Sequence, residues 1–194
     1  DFNKYYLEFP DVDIRVNSPR HSDPNFIKLI NNLIEKHKID FLHPHPSSEA
    51  LVVSQNFDSI KTKTLLPKPN VILTDKLKTQ QILSNYNINV AKTKTFENMN
   101  SIQTSFEELG GGPLWIRAKS GAGGNLSLLC NEPKEVEYWM KLWIMQGKAK
   151  IDDFLLQQFL PGRNIAWDSF WYDGKLIASF TRERLEYPLK HISP

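Results

Sequence analysis

The chain has 194 residues, of which 40% are hydrophobic and 24% are charged. A chain of this length and composition can bury a core and is too apolar for a disordered segment, so we expect one large domain or two small ones. Its 24 basic and 22 acidic residues leave a formal charge of +2. This balance lacks the basic surplus that binding to a nucleic-acid backbone requires, and nucleic acid is not an expected partner.

The single cysteine, Cys130, excludes an intrachain disulfide and a cysteine-rich zinc site, and it fits a reducing compartment. No apolar run approaches the roughly 18–20 residues of a membrane span, and residues 1–4 are too polar for a signal-peptide core. These features predict a soluble cytoplasmic protein with no membrane partner. Because the chain lacks an initiator Met and stops directly after a strand-like segment, we expect a fragment of a longer protein or a partly ordered chain.

The first 72 residues alternate strand-like and helix-like segments. Two strands are predicted, at residues 12–16, where apolar and polar side chains alternate, and at residues 39–42. Asp23-Pro24 predicts a helix that runs to about His37, because Asp can accept the free amides of a first turn and Pro fits the first helical position.

A second helix is predicted over residues 49–57, followed by a lysine-rich connector over residues 61–69. Strand, helix, strand and helix in this order are typical of a parallel sheet. The segment is too short for a complete doubly wound domain, so we expect its first strand to be missing.

The remaining residues predict a mixed arrangement of helices and strands. The Asp173-Gly174 pair between two strand-like runs is a strong hairpin signal. Helices are expected over residues 74–85, 101–109 and from Pro133 to just before Gly147, and strands over residues 90–96, 114–118, 126–129, 154–159, 165–172 and 175–184. The tryptophans of the helix that starts at Pro133 lie on its apolar stripe, which indicates a core role.

A glycine loop over residues 119–124 separates two of these strands. Residues without Cβ let the main chain approach a polyphosphate closely, and Arg117 on the strand before the loop could hold the phosphates that the loop covers. The loop matches neither the P-loop nor the dinucleotide fingerprint. A mobile hairpin tip and a solvated arginine are the alternatives from the residues alone.

Two other groups of residues could carry chemistry. Arg182 and Arg184 share one face of the last strand, which suits either an anionic ligand or a solvated face with Glu186 as charge partner. The two histidines of His43-Pro44-His45-Pro46 favour a turn over a metal site, because no further ligand residues are nearby. No pattern indicates a Ser/His/Asp triad or a nucleophilic cysteine.

Taken in order, four motifs resemble the ATP-grasp superfamily and, within it, the carbamoyl phosphate synthase large-chain-like proteins. The motifs are TDK at 74–76, GPLWIRA with the loop KSGAGG at 112–124, LQQFLPGRN at 156–164 and RERLE at 182–186. The resemblance implies an α/β fold that becomes α+β in its second part. Residues 1–72 would be a partial Rossmann-like pre-ATP-grasp domain, and residues 73–194 an incomplete ATP-grasp domain with a lid at about 113–158 and a truncated carboxy-terminal part.

The resemblance also implies ATP as the bound nucleotide. Lys76 would approach the phosphates from the helix after the linker, and Arg117 would meet them from the strand before the loop. The glycines that would cover the β- and γ-phosphates are Gly121, Gly123 and Gly124, and Lys119 of the same loop would also bind the nucleotide.

Other residues of the same motifs would contact the rest of the nucleotide or the substrate. Gln157 would face the adenine amino group at a position that is often Glu, and Phe159 and Leu160 would offer backbone groups to the ring edge. Asn164 stands where many relatives have a ribose-binding Glu, and an amide can also hydrogen-bond hydroxyls. Arg182 and Arg184 would act as catalytic residues that face the transferred phosphate or an acidic substrate.

The implied reaction is phosphorylation of a carboxylate or bicarbonate-like substrate by ATP, after which an amine or another nucleophile attacks the acylphosphate. The family's Mg²⁺ ligands normally lie beyond the last residue of this chain, so we expect the fragment alone to be inactive. The resemblance also allows a homodimer. Two other functions stay open: a non-catalytic nucleotide-binding module, and a dinucleotide-dependent oxidoreductase, which the amino-terminal alternation suggests without a glycine fingerprint.

Overall fold

The computed structural model describes residues 1–72, 74–121, 124 and 126–185. The chain divides into two units, Asp1–Thr74 and Asp75–Pro194. Helices and strands are both present, and the protein belongs to the mixed α/β class, as predicted. Over the described ranges, no helix has both the length and the hydropathy of a membrane span.

The amino-terminal unit contains the helices α1 (Phe26–His37) and α2 (Ser47–Gln55). α1 begins two residues later than predicted, because the Asp23 carboxylate accepts a hydrogen bond from the backbone amide of Asn25 at 2.8 Å and forms a turn before the helix. The end of α1 at His37 agrees with the prediction. One-turn 3₁₀ helices complete the unit at Lys4–Glu8, Phe57–Ser59 and Pro69–Val71.

The two strands predicted in this unit do not form. Residues 12–16 are irregular and pair with no strand in the described part of the unit, and Val12 and Ile14 are each 51% exposed. Of residues 39–42 only Phe41 pairs, through an isolated parallel bridge to Lys63. Alternation of side chains was therefore a misleading signal here, because a strand also needs a neighbour that satisfies its backbone groups.

The carboxy-terminal unit contains a four-stranded antiparallel sheet. Its strand order is β1-β4-β2-β3, so β2 and β4 are central and β1 and β3 form the edges. The bounds of the strands are β1 (Thr93–Thr95), β2 (Leu114–Ala118), β3 (Leu128–Cys130) and β4 (Phe154–Gln158). All four lie in or next to the ranges that the sequence predicts, and the bounds of β2 match them.

Three helices belong to the same unit: α3 (Lys76–Asn85), α4 (Ile102–Glu108) and α5 (Pro133–Met145), with 3₁₀ turns at Met99–Ser101 and Ile151–Asp153. α4 and α5 contribute Ile102, Phe106, Val136 and Met140 to a hydrophobic core with one face of the sheet. That face supplies alternate residues of the strands, as the two-residue period of a strand requires. They are Leu114, Ile116, Ala118, Cys130, Phe154 and Leu156.

The strands β5 (Asn164–Tyr172) and β6 (Lys175–Arg184) form a separate antiparallel hairpin. The turn residues Asp173 and Gly174 have φ angles of 47° and 72°. Positive φ at both central positions is what a type I′ turn requires, and the Asp-Gly pair permits it. The hairpin prediction is confirmed. All ten residues of β6 are exposed.

Candidate functional site

The first residue of α3 lies against the glycine loop. Asp75 caps the helix by accepting a hydrogen bond from the amide of Lys78 at 3.0 Å. The amide of Lys76 donates to the carbonyl oxygen of Lys119 at 2.9 Å, and Lys76 Nζ donates to the carbonyl oxygen of Gly121 at 2.8 Å. Main-chain and side-chain bonds therefore join the start of α3 to the loop that follows β2.

Arg117 lies on the sheet face opposite the α4–α5 core. In the register of β2 and β4, Trp115 pairs with Gln157 and Arg117 pairs with Leu155, so the four side chains share this face. Arg117 Nη1 donates to Gln157 Oε1 at 3.3 Å. Its Nε atom is buried and has no hydrogen-bond partner among the described residues. The guanidinium thus keeps an unused donor beside the loop strand.

Hydrogen bonds on both sides determine the orientation of the Gln157 amide. The Thr93 hydroxyl donates to the carbonyl oxygen of Ala91 at 3.0 Å, so its oxygen accepts from Gln157 Nε2 at 3.1 Å. Arg117 can only donate, which requires the amide oxygen on its side. Gln157 therefore presents an acceptor, Oε1, next to the guanidinium.

The site carries more positive than negative charge. Burial lowers the pKa of Lys76, the Arg117 cation lowers it further, and the carboxylate of Asp75 acts in the opposite direction. Burial likewise lowers the pKa of Arg117. Lys119 Nζ lies 3.8 Å from Asp75 Oδ2. Three cations thus lie around one carboxylate, and a bound anion would offset the unfavourable effect of Arg117 on the charged form of Lys76.

The loop itself has the conformation of a glycine turn at its described positions. Gly121 has a φ of +90°, and Gly124 has a φ of 68°. No atom lies within 4 Å of the position that a Cβ at Gly121 would occupy. Residues with a side chain rarely adopt such angles. Gly123, which is also predicted to cover the phosphates, lies outside the described residues.

The remaining predicted residues lie after β4. Phe159 and Leu160 follow the strand directly, and Leu160 is 64% exposed. Asn164 opens β5 directly opposite Arg184. Arg182 Nε lies 3.1 Å from Asp168 Oδ2, so Asp168 is an ion partner that the sequence did not indicate.

The structure brings together five of the predicted residues: Lys76, Arg117, Lys119, Gly121 and Gln157. It adds Thr93 and Asp75, which the sequence reasoning did not select as site residues. No local signal could have identified Thr93, because its contact with Gln157 depends on the pairing of β1 with β4. The helix was predicted to begin at Thr74, whereas Asp75 is its cap and Lys76 its first residue.

A magnesium site is not formed by the part of the chain that the structure describes. Across those ranges there is no group of three or more His, Cys, Asp or Glu side chains that could hold a metal ion. The charged groups Lys76, Arg117 and Lys119 of the site repel a cation. The residues of the site therefore fit an anion and not a metal.

Solved structures with the same architecture include several nucleotide-dependent enzymes. A biotin carboxylase from Campylobacter jejuni is 16% identical, with 84% of this chain and 38% of that chain covered and a TM-score of 0.61. The biotin carboxylase domain of 2-oxoglutarate carboxylase from Hydrogenobacter thermophilus is 15% identical (73% and 33% covered, TM-score 0.58). D-alanyl-alanine synthetase A from Vibrio cholerae is 14% identical (75% and 45% covered, TM-score 0.56).

These neighbours are ATP-grasp proteins. The protein has part of the ATP-grasp fold. It spans between about a third and just under half the length of the three neighbours. No family model and no curated protein matches the chain. The three neighbours do not include a carbamoyl phosphate synthase, so the finer resemblance to that group stays a prediction.

Proposed function

We propose that this chain is the nucleotide-binding part of an ATP-dependent ligase that activates a carboxylate or bicarbonate-like substrate as an acylphosphate for attack by an amine. The observation that carries the proposal is the Arg117 guanidinium. Its Nε atom is buried without a hydrogen-bond partner among the described residues, and its charge lowers the pKa of Lys76. Paired cations with an unused donor are suited to bind phosphate oxygens. The fold supports this, and the neighbour from Hydrogenobacter thermophilus is described in complex with MgADP, ADP and bicarbonate.

In this proposal, ATP supplies the phosphoryl group that activates the substrate. Arg117 and Lys76 neutralise phosphate charge, and the backbone of the loop at Gly121 lies within reach of the same oxygens. Gln157 Oε1 accepts a hydrogen bond from the adenine amino group, for which its orientation is suited. Phe159 and Leu160 contribute backbone groups to the ring edge, and Asn164 bonds the ribose.

Arg182 and Arg184 orient the substrate or the transferred phosphate. We further propose that the reaction resembles that of carbamoyl phosphate synthases, that it depends on Mg²⁺, and that the protein is cytoplasmic. The homodimer stays a prediction, for which light scattering of the purified protein is the direct measurement.

Calorimetric titration with ATP tests the proposal. Replacing Arg117 with Ala removes a charge-assisted hydrogen bond, and we expect affinity for ATP to fall about 10- to 100-fold. Arg117→Lys should recover part of this loss, because a point charge reaches a phosphate without the bidentate contact. Arg15→Ala is the matched control: it removes the same charge from an exposed residue of the amino-terminal unit. Equal affinities for the wild type and both Arg117 variants would refute the phosphate-binding role.

A further inference from the structure

Two tryptophans of α5 differ in what their indole N–H groups contact. Trp139 Nε1 donates to the carbonyl oxygen of Leu126 at 3.0 Å. The Nε1 atom of Trp143 is buried and has no hydrogen-bond partner in the described ranges. The two rings pack edge to face with centroids 5.7 Å apart. They share a helix, and within the described residues only the Trp139 indole N–H donates to the segment that follows the glycine loop.

Leu126 holds an unusual backbone conformation at that point. Its φ is +57° and its side chain is 7% exposed. A residue with a Cβ avoids this region unless its surroundings enforce it, and such positions cluster at ligand-binding segments. The turn is closed by a hydrogen bond from the amide of Ser127 to the carbonyl oxygen of Gly124 at 3.0 Å. The indole bond and the burial of Leu126 add to the stability of this turn.

The other end of the loop is fixed as well. The amide of Lys119 donates to the carbonyl oxygen of Asp153 at 2.7 Å, and Gly121 accepts from Lys76 Nζ. Backbone amides bind a phosphate well only when they are held in position before the ligand arrives. The described loop residues Lys119, Gly121 and Gly124 meet this condition, because each takes part in a hydrogen bond to a residue outside the loop.

We propose that Trp139 is a positioning residue of the phosphate site, which acts by holding the Leu126 carbonyl and with it the carboxy-terminal end of the glycine loop. This inference rests on the proposed nucleotide-binding function. It assigns to Trp139 a role beyond the core packing that its place on the apolar stripe predicts. The inference also limits this role of Trp139 to ligands that have β- and γ-phosphates.

Calorimetry of Trp139→Phe and Trp143→Phe with ATP and with AMP tests the inference. Both variants keep an aromatic ring and lose an indole N–H, but among the described residues only Trp139→Phe loses a hydrogen bond. We expect Trp139→Phe to bind ATP about three- to tenfold more weakly, as the loss of one neutral hydrogen bond implies. Its affinity for AMP, which lacks the β- and γ-phosphates, should change less than about twofold. Trp143→Phe should match the wild type with both ligands.

The outcomes separate the inference from the proposed function. A wild-type protein that fails to bind ATP refutes the function. If the wild type binds ATP, the inference is overturned when Trp139→Phe keeps its ATP affinity, loses ATP and AMP affinity equally, or behaves like Trp143→Phe.

A measurement on the unmodified protein covers the case in which Trp139→Phe does not fold. ATP bound at the loop should stabilise the state in which the Trp139–Leu126 bond is closed, and hydrogen exchange of the Trp139 indole N–H should slow at least about twofold in NMR spectra, because exchange requires that the bond open. The Trp143 indole N–H should show no change. An unchanged Trp139 exchange rate at saturating ATP would also overturn the inference.

Discussion

Lys76 Nζ donates a hydrogen bond to the main-chain carbonyl oxygen of Gly121 at 2.8 Å. The contact places an ammonium group directly beneath the first glycine of the loop. A carbonyl oxygen is a weaker partner for a cation than a phosphate oxygen, which carries a full charge. An ammonium group has three donors, so Lys76 can bind a polyphosphate oxygen more strongly than the carbonyl and still keep its bond to Gly121.

The lowered pKa of Lys76 makes ligand affinity depend on pH. Burial and Arg117 destabilise the charged amine in the free protein, so its pKa lies below the ordinary value of 10.5. Only the protonated amine attracts phosphate. We expect affinity for ATP to be constant at neutral pH and to fall as pH rises through the lowered pKa, as measured by calorimetry in matched buffers. Lys76→Arg keeps its charge over this range, and an equally steep fall in this variant would contradict the assignment.

The Thr93 hydroxyl should contribute to stability through its bonds to Gln157 and Ala91. Thr93→Val keeps the shape of the side chain and leaves Gln157 Nε2 without that acceptor. We expect the free energy of unfolding in urea to fall by about 1 kcal/mol. Thr93→Ser retains the hydroxyl and is the matched control. An unchanged free energy of unfolding in Thr93→Val would contradict the hydrogen-bond explanation.

Cys130 should be chemically inert while the protein is folded. It is fully buried, and burial together with the Glu135 carboxylate raises the pKa of its thiol from 9.0 to about 12. The reactive thiolate is then roughly a thousandfold rarer than in an exposed cysteine. We expect labelling by iodoacetamide at pH 8 to occur only after unfolding in urea. Rapid labelling of the native protein would contradict the burial of Cys130.

The same pKa shift has a consequence for alkaline stability. Above about pH 9 the unfolded chain loses the thiol proton while the native protein keeps it, so stability contributed by this group falls as pH rises from 9.0 toward about 12. Cys130→Ala should lack this part of the alkaline decline in urea titrations.

Phe154 should be one of the most sensitive core positions. Its side chain is 0% exposed and belongs to the core between the sheet and the helices α4 and α5. Phe154→Ala should lower the free energy of unfolding by about 3–5 kcal/mol in chemical denaturation. Phe170 on the hairpin is 48% exposed, and Phe170→Ala should cost about 1 kcal/mol or less. Similar losses at both positions would show that the hairpin is as well packed as the core.

Sequence patterns of a few neighbouring residues correctly predicted the secondary-structure elements that interactions between near neighbours stabilise. The Asp173-Gly174 turn and the flanking strands of the hairpin agree with the structure to within one residue. The start of α1 differed because Asp23 can cap a helix or form a turn, and the sequence does not distinguish the two. Residues 12–16 differed because a strand requires a partner, and the alternation of side chains does not provide one.

The candidate site depends on pairings that no local pattern contains. Arg117 could be assigned to a strand from its neighbours, but its contact with Gln157 exists only because β2 and β4 are adjacent and antiparallel. The contact of Lys76 with Gly121 joins residues 45 positions apart. The resemblance to a known family assigned these residues to one nucleotide, but neither it nor periodicity predicted the two contacts.

The hairpin is open to solvent over the whole length of β6, and it carries large aromatic side chains such as Trp171 and Phe180. A ribbon with little burial loses few contacts when it opens, and opened segments are the ones that proteases cut. Limited digestion with chymotrypsin, which cleaves after aromatic residues, should therefore trim the chain here before it attacks the sheet. The trimmed product would retain Lys76 and Arg117 but lose the end of β6 that carries Arg182. An ATP affinity equal to that of the intact chain would show, without any substitution, that nucleotide binding does not require Arg182.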